Sequence, residues 1–326
     1  MFDSVDEVQK GLLDQSYIAG KKIATVVYLA TKLNKPVLVE GPAGVGKTEL
    51  AKVVARAVNR PLIRLQCYEG LDESKALYEW EYSKQLLYTQ MLRDKINDVI
   101  AGTKTMKEAS ERIAGQDDVF FSERFIVARP LLKAITAPEP ILLLIDEVDK
   151  SDPEFEAFLL EVLSDYTVSV PEVGTIQAKH LPLVFLTSND AREMTDALKR
   201  RCLHLHIDFP SSEEEVRILE LKVPGIGQRL VRDIVELVQR IRKLDLKKTP
   251  SISETLDWAR ALMVLNADEL EVELVNDTMN VILKHQGDIA KAQSELTALL
   301  QRKAAEKAAG APQPAPAQPA KKSVLH

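Results

Sequence analysis

The sequence predicts an α/β protein, a doubly wound parallel sheet followed by a smaller all-helical domain, and three observations carry this. Pro36-Val37-Leu38-Val39-Glu40 is a short apolar run between Pro and Gly. It leads through a Gly-containing loop into Thr48 to Asn59, rich in Ala, Val, Leu and Lys and free of Gly and Pro, so the stretch reads as strand, tight turn and helix. Ile141-Leu142-Leu143-Leu144-Ile145 is an uninterrupted apolar run, the pattern of a strand buried on both faces. After Pro210 the strand signal stops and only helical spacing remains. Strands alternating with helices before that point mean a parallel sheet with helices on its faces.

Taken in order, residues 18–33 set Ile18, Ile23, Val26, Val27, Ala30 and Leu33 on one helical face ahead of the first strand. Residues 62–67 (Leu-Ile-Arg-Leu-Gln-Cys) predict a second strand. The charged segment 69–116 is mostly helical in pattern, with Leu86, Leu87, Met91, Leu92 and Ile96 at helix spacing, and reads as an insertion into the core. Asp152-Pro153 opens a helix running through Leu163, with Pro in its first turn. Thr167–Val170 and Thr175–Ala178 flank Pro171-Glu172-Val173-Gly174, predicting a β-hairpin over 167–178 with a four-residue turn. Leu183–Leu186 and Leu203–Ile207 supply further strands.

A nucleotide-binding domain is therefore expected over 1–210 and a helical domain over 211–305. Ser212-x-x-Glu215 predicts a capping box at the start of the second domain, and helices follow at 227–243, 251–265, 271–284 and 286–305. The Ala/Pro/Gln-rich tail, 306–326, is expected to be disordered.

Composition narrows the class. The chain has 326 residues, enough for two cores, and at 45% hydrophobic and 28% charged it suits a soluble protein. Its net charge of −6 argues against coating nucleic acid as its main work. The acidic start, Met1 to Glu7, lacks a secretory pattern, and no apolar run approaches the ~18 residues of a membrane span. Cys67 and Cys202, far apart in apolar runs, read as buried reduced thiols. A cytoplasmic protein is the expectation.

Residues Gly41-Pro42-Ala43-Gly44-Val45-Gly46-Lys47-Thr48 complete the pattern G-x-x-x-x-G-K-[ST], with Glu49 next in the helix. A helix N-terminus behind a Gly-rich loop presents amide groups and a positive dipole end to an anion. Glycine at 44 and 46 lets the backbone approach phosphate, Lys47 is placed for the β/γ-phosphates, and Thr48 offers its hydroxyl to Mg²⁺. The fold is thus expected to be a P-loop NTPase binding ATP and Mg²⁺. The buried strand 141–145 ends in Asp146-Glu147, at the sheet edge where α/β ligands bind. Asp146 is the expected metal-shell carboxylate and Glu147 the group that polarises the attacking water. Leu183-Val184-Phe185-Leu186-Thr187-Ser188-Asn189 is another apolar strand ending in a polar residue, with Asn189 placed for the γ-phosphate or the water, although Asn after a strand also serves as a turn former. Lys199-Arg200-Arg201 could send an arginine to a neighbouring subunit, or be a solvated basic cluster.

Together these segments resemble the AAA+ ATPases, and within them the MoxR-like family. The resemblance spans about residues 15–300 and rests on Gly41–Thr48, Leu144-Ile145-Asp146-Glu147-Val148-Asp149-Lys150, Phe158–Leu163 leading to the hairpin, Thr187-Ser188-Asn189 and Asp196–Cys202. It implies an AAA+ core with a helix-2 insertion at 69–116, a pre-sensor hairpin at 167–178, a helical lid, and Arg201, favoured over Arg200, as an arginine finger acting in trans in a ring, a hexamer by family habit. Phe121–Phe125 and Cys202–Ile207 are similar to the CoxD-like branch, which implies maturation or cofactor insertion of a molybdenum hydroxylase or CO dehydrogenase client beside a von Willebrand factor A-domain partner. One departure is Glu254, standing where the family carries a sensor arginine. Ser251-x-x-Glu254 reads as a capping box, with Arg260 a possible substitute for the sensor.

Two other classes share this core, a nucleic-acid motor of the Holliday-junction kind and an ATP-binding scaffold with negligible turnover. The Val223-Pro224-Gly225-Ile226-Gly227 turn resembles a DNA-binding helix-hairpin-helix. Glu213-Glu214-Glu215 close by would repel phosphate.

Overall fold

The computed structural model describes residues 2–91, 100–103, 105–108, 112, 125–170, 174–294 and 296. The chain forms two compact units, Met1–Glu214 and Glu215–His326.

The first unit is built on a five-stranded, all-parallel sheet of β1 (Val37–Glu40), β2 (Leu62–Gln66), β5 (Leu142–Asp146), β8 (Leu183–Ser188) and β9 (Leu203–His206). Its spatial order is β2-β5-β8-β1-β9. β5 and β8 bury every side chain, as central strands covered on both faces must, which is why their sequences are unbroken apolar runs. The edge strands β2 and β9 bury only Leu65 and Leu205. An edge strand therefore has room for Arg64, Gln66, His204 and His206.

The helices of this unit are α1 (Val5–Asp14), α2 (Lys21–Leu33), α3 (Lys47–Ala57), α4 (Glu73–Leu77), α5 (Tyr82–Met91), α6 (Pro130–Ile135), α7 (Pro153–Asp165) and α8 (Asp196–Arg201), among the described residues. α1 opens with Ser4, whose hydroxyl caps the Glu7 amide. α7 begins with Pro153, where a missing N–H costs nothing. One side of the sheet packs Leu38, Leu143, Ile145, Val184 and Leu186 against Leu131, Ile135, Phe155, Leu159 and Leu198. Both cysteines are free, and burial lifts each thiol to about 12, so both stay protonated near neutral pH.

The structure departs from the sequence patterns in three places. The segment read as mostly helical holds a short strand, β3 (Tyr78–Trp80), paired antiparallel with β4 (Ile126–Ala128), a partner too distant in sequence for periodicity to reveal. In the hairpin of β6 (Thr167–Val170) and β7 (Gly174–Gln177), Gly174 pairs with Val170, so the loop is residues 171–173 and not the four-residue turn. That loop lies outside the described residues. The capping box before the second unit is Ser211 with Glu214, since the Ser211 and Glu214 amides each bond the other's side chain at 3.1 and 3.2 Å. The predicted Ser212–Glu215 box is displaced because the Glu215 carboxylate is drawn into a buried ion pair.

The described helices of the second unit are α9 (Ser212–Lys222, which crosses the unit boundary), α10 (Gln228–Ile241), α11 (Ile252–Val264) and α12 (Val272–Ile282), followed by helical residues 286–294. α10 presents Leu230, Val231, Ile234, Leu237, Val238 and Ile241 to one core with Trp258, Leu262, Val275 and Met279. Fully buried Glu215 takes both arms of Arg242, Nη1 to Oε2 at 2.6 Å and Nη2 to Oε1 at 2.7 Å. Ser251 and Glu254 make the expected reciprocal capping box, and Lys248 also reaches Glu254 at 2.9 Å. Arg260 pairs with Asp257 at 3.0 Å. The tail, 306–326, lies outside the described residues. No helix among the described residues is long and apolar enough to cross a membrane.

Candidate active site

β1 ends at Glu40 and the chain turns at once through Gly41, whose φ is +140°. A Cβ there would stand 2.1 Å from the Ile207 carbonyl oxygen, because the chain after β9 passes directly beside the loop. Only glycine fits. Gly41→Ala adds overpacking to backbone strain, each about 1–3 kcal/mol. Its chemical-denaturation midpoint is therefore expected to fall well below wild type, and an unchanged midpoint would show that the contact relaxes freely.

The loop continues through exposed Ala43 and Gly44 (φ +74°) to buried Val45 and then Gly46 (φ +100°), which begins α3. The first amides of a helix have no intrahelical partner, so α3 directs free N–H groups at the loop's interior. Lys47 is 5% exposed, and its ammonium donates to the carbonyls of Gly41 (2.6 Å) and Pro42 (2.7 Å) and to Asn189 Oδ1 (2.8 Å). Burial pulls its pKa down, while Asp149, Asp190, Asp146 and Glu147 oppose the change. Glu49, the last residue of the predicted loop set, turns its carboxylate to Arg56 at 3.2 Å.

Asp146 closes β5, the neighbour of both β2 and β8. Its Oδ1 accepts the hydroxyls of Thr48 (2.8 Å) and Thr187 (2.6 Å). Glu147 adopts the left-handed conformation, φ +57°, uncommon outside glycine and asparagine and typical of constrained sites. Its amide donates to Thr187 Oγ1, and its carboxylate accepts from Gln66 (2.8 Å), Lys150 (2.6 Å) and Asn189 Nδ2 (3.3 Å). The Glu147 hydrogen bond holds the Lys150 ammonium above its usual range.

Asn189 thus touches both Lys47 and Glu147, and it is itself fixed from below. Asp149 Oδ2 accepts the Asn189 and Ala191 amides at 3.0 and 3.1 Å. Asp149 Oδ1 is buried with no hydrogen-bond partner among the described residues. Glu156, fully buried on α7, accepts the Thr195 amide at 3.0 Å and pairs with Arg192, tying down the same loop.

The structure therefore brings Lys47, Thr48, Asp146, Glu147 and Asn189 into one hydrogen-bonded cluster at the C-terminal edge of the sheet. Arg201 is not in it. Exposed at the end of α8, it donates to the Leu160 carbonyl at 2.9 Å. Arg64, Gln66, Thr187, Asp149 and Lys150 join the cluster without having been assigned a role from sequence. A charged residue inside the short apolar strand 62–67 was the available signal for Arg64.

The hard oxygens of Thr48 and Asp146, 2.8 Å apart, suit Mg²⁺, which takes one or two protein carboxylates and completes its shell with phosphate and water. No cluster of three or more His, Cys, Asp or Glu that could cage a metal occurs among the described residues.

A profile of the family described as "AAA domain (dynein-related subfamily)" matches residues 36–202, which span β1, β2, β5 and β8 of the parallel sheet and every residue of the cluster, and stop just before β9. The chain belongs to this family. Its α/β core is accordingly an AAA+ P-loop fold, and the family is one of nucleotide-binding ATPases. Relatives of this AAA domain protein include an uncharacterized protein of Staphylococcus aureus strain USA300, 27% identical over 241 residues, covering 72% of this chain and 77% of that one. A counterpart in strain NCTC 8325 / PS 47 shows the same figures. Among solved structures, the Thermotoga maritima RuvB Holliday junction branch migration motor overlaps with a TM-score of 0.44 at 17% identity, covering 84% of this chain and 69% of that one. A point mutant of the same RuvB gives 0.46 at 17% identity, covering 86% and 71%.

Proposed function

We propose that this AAA domain protein is an Mg²⁺-dependent ATPase of the MoxR type, whose turnover remodels a client metalloenzyme during cofactor insertion. The observation that carries the ATPase reading is the single hydrogen-bonded cluster of Lys47, Asn189, Glu147, Asp146 and Thr48 around the amides of α3. Gly41 to Thr48 wrap the phosphates with backbone amides, and the Lys47 ammonium turns from the loop carbonyls to the β/γ-oxygens. Thr48 and Asp146 would hold the Mg²⁺, which would supply neutralisation of the charge that develops on the phosphate oxygens. Glu147 orients a water in line with the γ-phosphorus and accepts its proton, while Asn189 holds the Glu147 carboxylate and the phosphate in register. Hydrolysis yields ADP and phosphate.

Positioning and charge stabilisation provide most of the rate in such a reaction, so an arginine that completes the γ-phosphate contacts has a large effect. Arg201 of a neighbouring subunit fills that part in this reading, which makes a ring, six-membered by resemblance, the active form. The client, a molybdenum hydroxylase or CO dehydrogenase, and a von Willebrand factor A-domain partner follow from the MoxR-like and CoxD-like resemblance of residues 15–300.

The test is phosphate release by the purified chain with ATP and Mg²⁺, beside Lys47→Ala. The wild type is expected to turn over and the variant to lose nucleotide binding; equal release from both would overturn the reading. Pull-down of the native protein then decides the client, and ATPase stimulated by DNA with a steep salt dependence would replace the chaperone reading with a nucleic-acid motor.

A further inference from the structure

We propose that Arg64 is a positioning residue, the built-in counter-charge of Asp146, and that it makes divalent-cation binding at this site depend on the nucleotide's phosphates. The inference rests on the ATPase reading of the same site. Asp146 is 1% exposed, and every acceptor position of its carboxylate is used. Two hydroxyls occupy Oδ1, from Thr48 and Thr187. Arg64 occupies Oδ2 with two donors, Nε at 3.0 Å and Nη2 at 2.5 Å. A carboxylate gripped in this way has a fixed orientation, with Oδ1 aimed at the Thr48 hydroxyl.

The placement follows from the sheet. β2 runs parallel to β5 with Arg64 level with Leu144 and Gln66 level with Asp146. Residues two apart on a strand share a face, so Arg64 and Gln66 stand side by side, and the Arg64 side chain reaches along the strand to the carboxylate at the end of β5. Arg64 Nη2 also bonds Gln66 Oε1, which braces the guanidinium from a second side.

A guanidinium cannot lose its proton, so this positive charge is permanent. It sits one carboxylate away from where a cation shared by Thr48 and Asp146 would lie. It lowers the attraction of that carboxylate for a dication by offsetting the carboxylate's negative charge and by direct repulsion. The negative charge of bound phosphates reverses the balance, so the cation enters with the nucleotide and not before it. Arg64 is half exposed, so water weakens its field, and the expected effect is about tenfold in cation affinity.

The experiment titrates Mn²⁺ into nucleotide-free, full-length protein and follows free Mn²⁺ by electron paramagnetic resonance. Arg64→Gln keeps amide donors and removes the charge; it is expected to bind Mn²⁺ about tenfold more tightly than wild type. Arg64→Lys keeps the charge and is expected to stay within about twofold of wild type. Adding Asp146→Asn to Arg64→Gln is expected to abolish the gain, which a merely structural role for Arg64 would not predict. Circular dichroism melts show that each variant is folded, and Arg64→Met, which keeps the stem length, stands in if Arg64→Gln is not. Unchanged or weaker Mn²⁺ binding in a folded, charge-removed variant overturns the proposal. Fluorescent ADP titrated with Mg²⁺ into the wild type separates the two claims, since its failure to bind sinks the ATPase reading whatever Arg64 does.

Discussion

Glu147→Gln is expected to lower ATP turnover by about 10²–10⁴-fold, the usual contribution of a positioned general base, while leaving nucleotide affinity within a few-fold of wild type. The substitution keeps the shape of the side chain and removes its negative charge and basicity. Asn189 donates to one carboxylate oxygen and Gln66 and Lys150 to the other, so the single amide oxygen can keep the bonds of one side only, and the other side loses its acceptor. Binding should persist because Lys47, Thr48 and the α3 amides are untouched. Single-turnover phosphate release beside a nucleotide-binding isotherm separates the two quantities. Turnover within threefold of wild type would mean that another group handles the proton. The same variant distinguishes a working ATPase from a scaffold, since an assembly that needs only bound ATP keeps its cellular role after the change.

The second large effect lies in the helical unit. Arg242→Ala is expected to destabilise that unit by about 3–5 kcal/mol, because it leaves the fully buried Glu215 carboxylate without its counter-ion. Arg242 also donates to the Pro250 carbonyl at 2.9 Å and to Thr255 Oγ1 at 3.2 Å, so it ties α9 to α11 and the chain before it. Gln239 completes the set from α10 at 2.8 Å. Replacing both partners together, Glu215→Leu with Arg242→Met, removes the unpaired charge and is expected to recover most of the loss. Guanidinium unfolding followed by a probe in this unit, with the Trp258 indole as the natural choice, measures both. Equal midpoints for wild type and Arg242→Ala would mean that water reaches Glu215 and screens it.

Much of the fold was legible in sequence because its elements are marked by local patterns. The apolar runs at 37–39, 142–145 and 183–186 are central strands, and central strands of a parallel sheet are recognised by their unbroken hydrophobicity. The β3–β4 pair was not legible, since Tyr78–Trp80 is short and its partner Ile126–Ala128 lies beyond a long intervening segment. At the second unit, two adjacent Ser and Glu registers both satisfy the capping pattern, and composition cannot choose between them. The choice came from Arg242, which claims Glu215 for the core and leaves Glu214 to cap. At position 254, by contrast, the local pattern was sufficient, and the carboxylate closes the start of α11 on Ser251 as the spacing predicts.

The sequence by itself determined the parts of this protein whose chemistry is contiguous along the chain. These are the phosphate-binding loop from Gly41 to Thr48, the acidic pair Asp146-Glu147 at the end of an apolar strand, and Asn189 at the end of another. Only the tertiary structure decided what surrounds them. Strand order places β2 and β8 on either side of β5, and from that follow Arg64 and Thr187 on Asp146, Gln66 on Glu147, and Asp149 beneath the Asn189 amide. The physical reason is that a hydrogen bond has a reach of about 3 Å in space and none along the sequence. A loop's own residues carry their pattern with them, whereas a partner from a neighbouring strand is specified only once the sheet has been assembled.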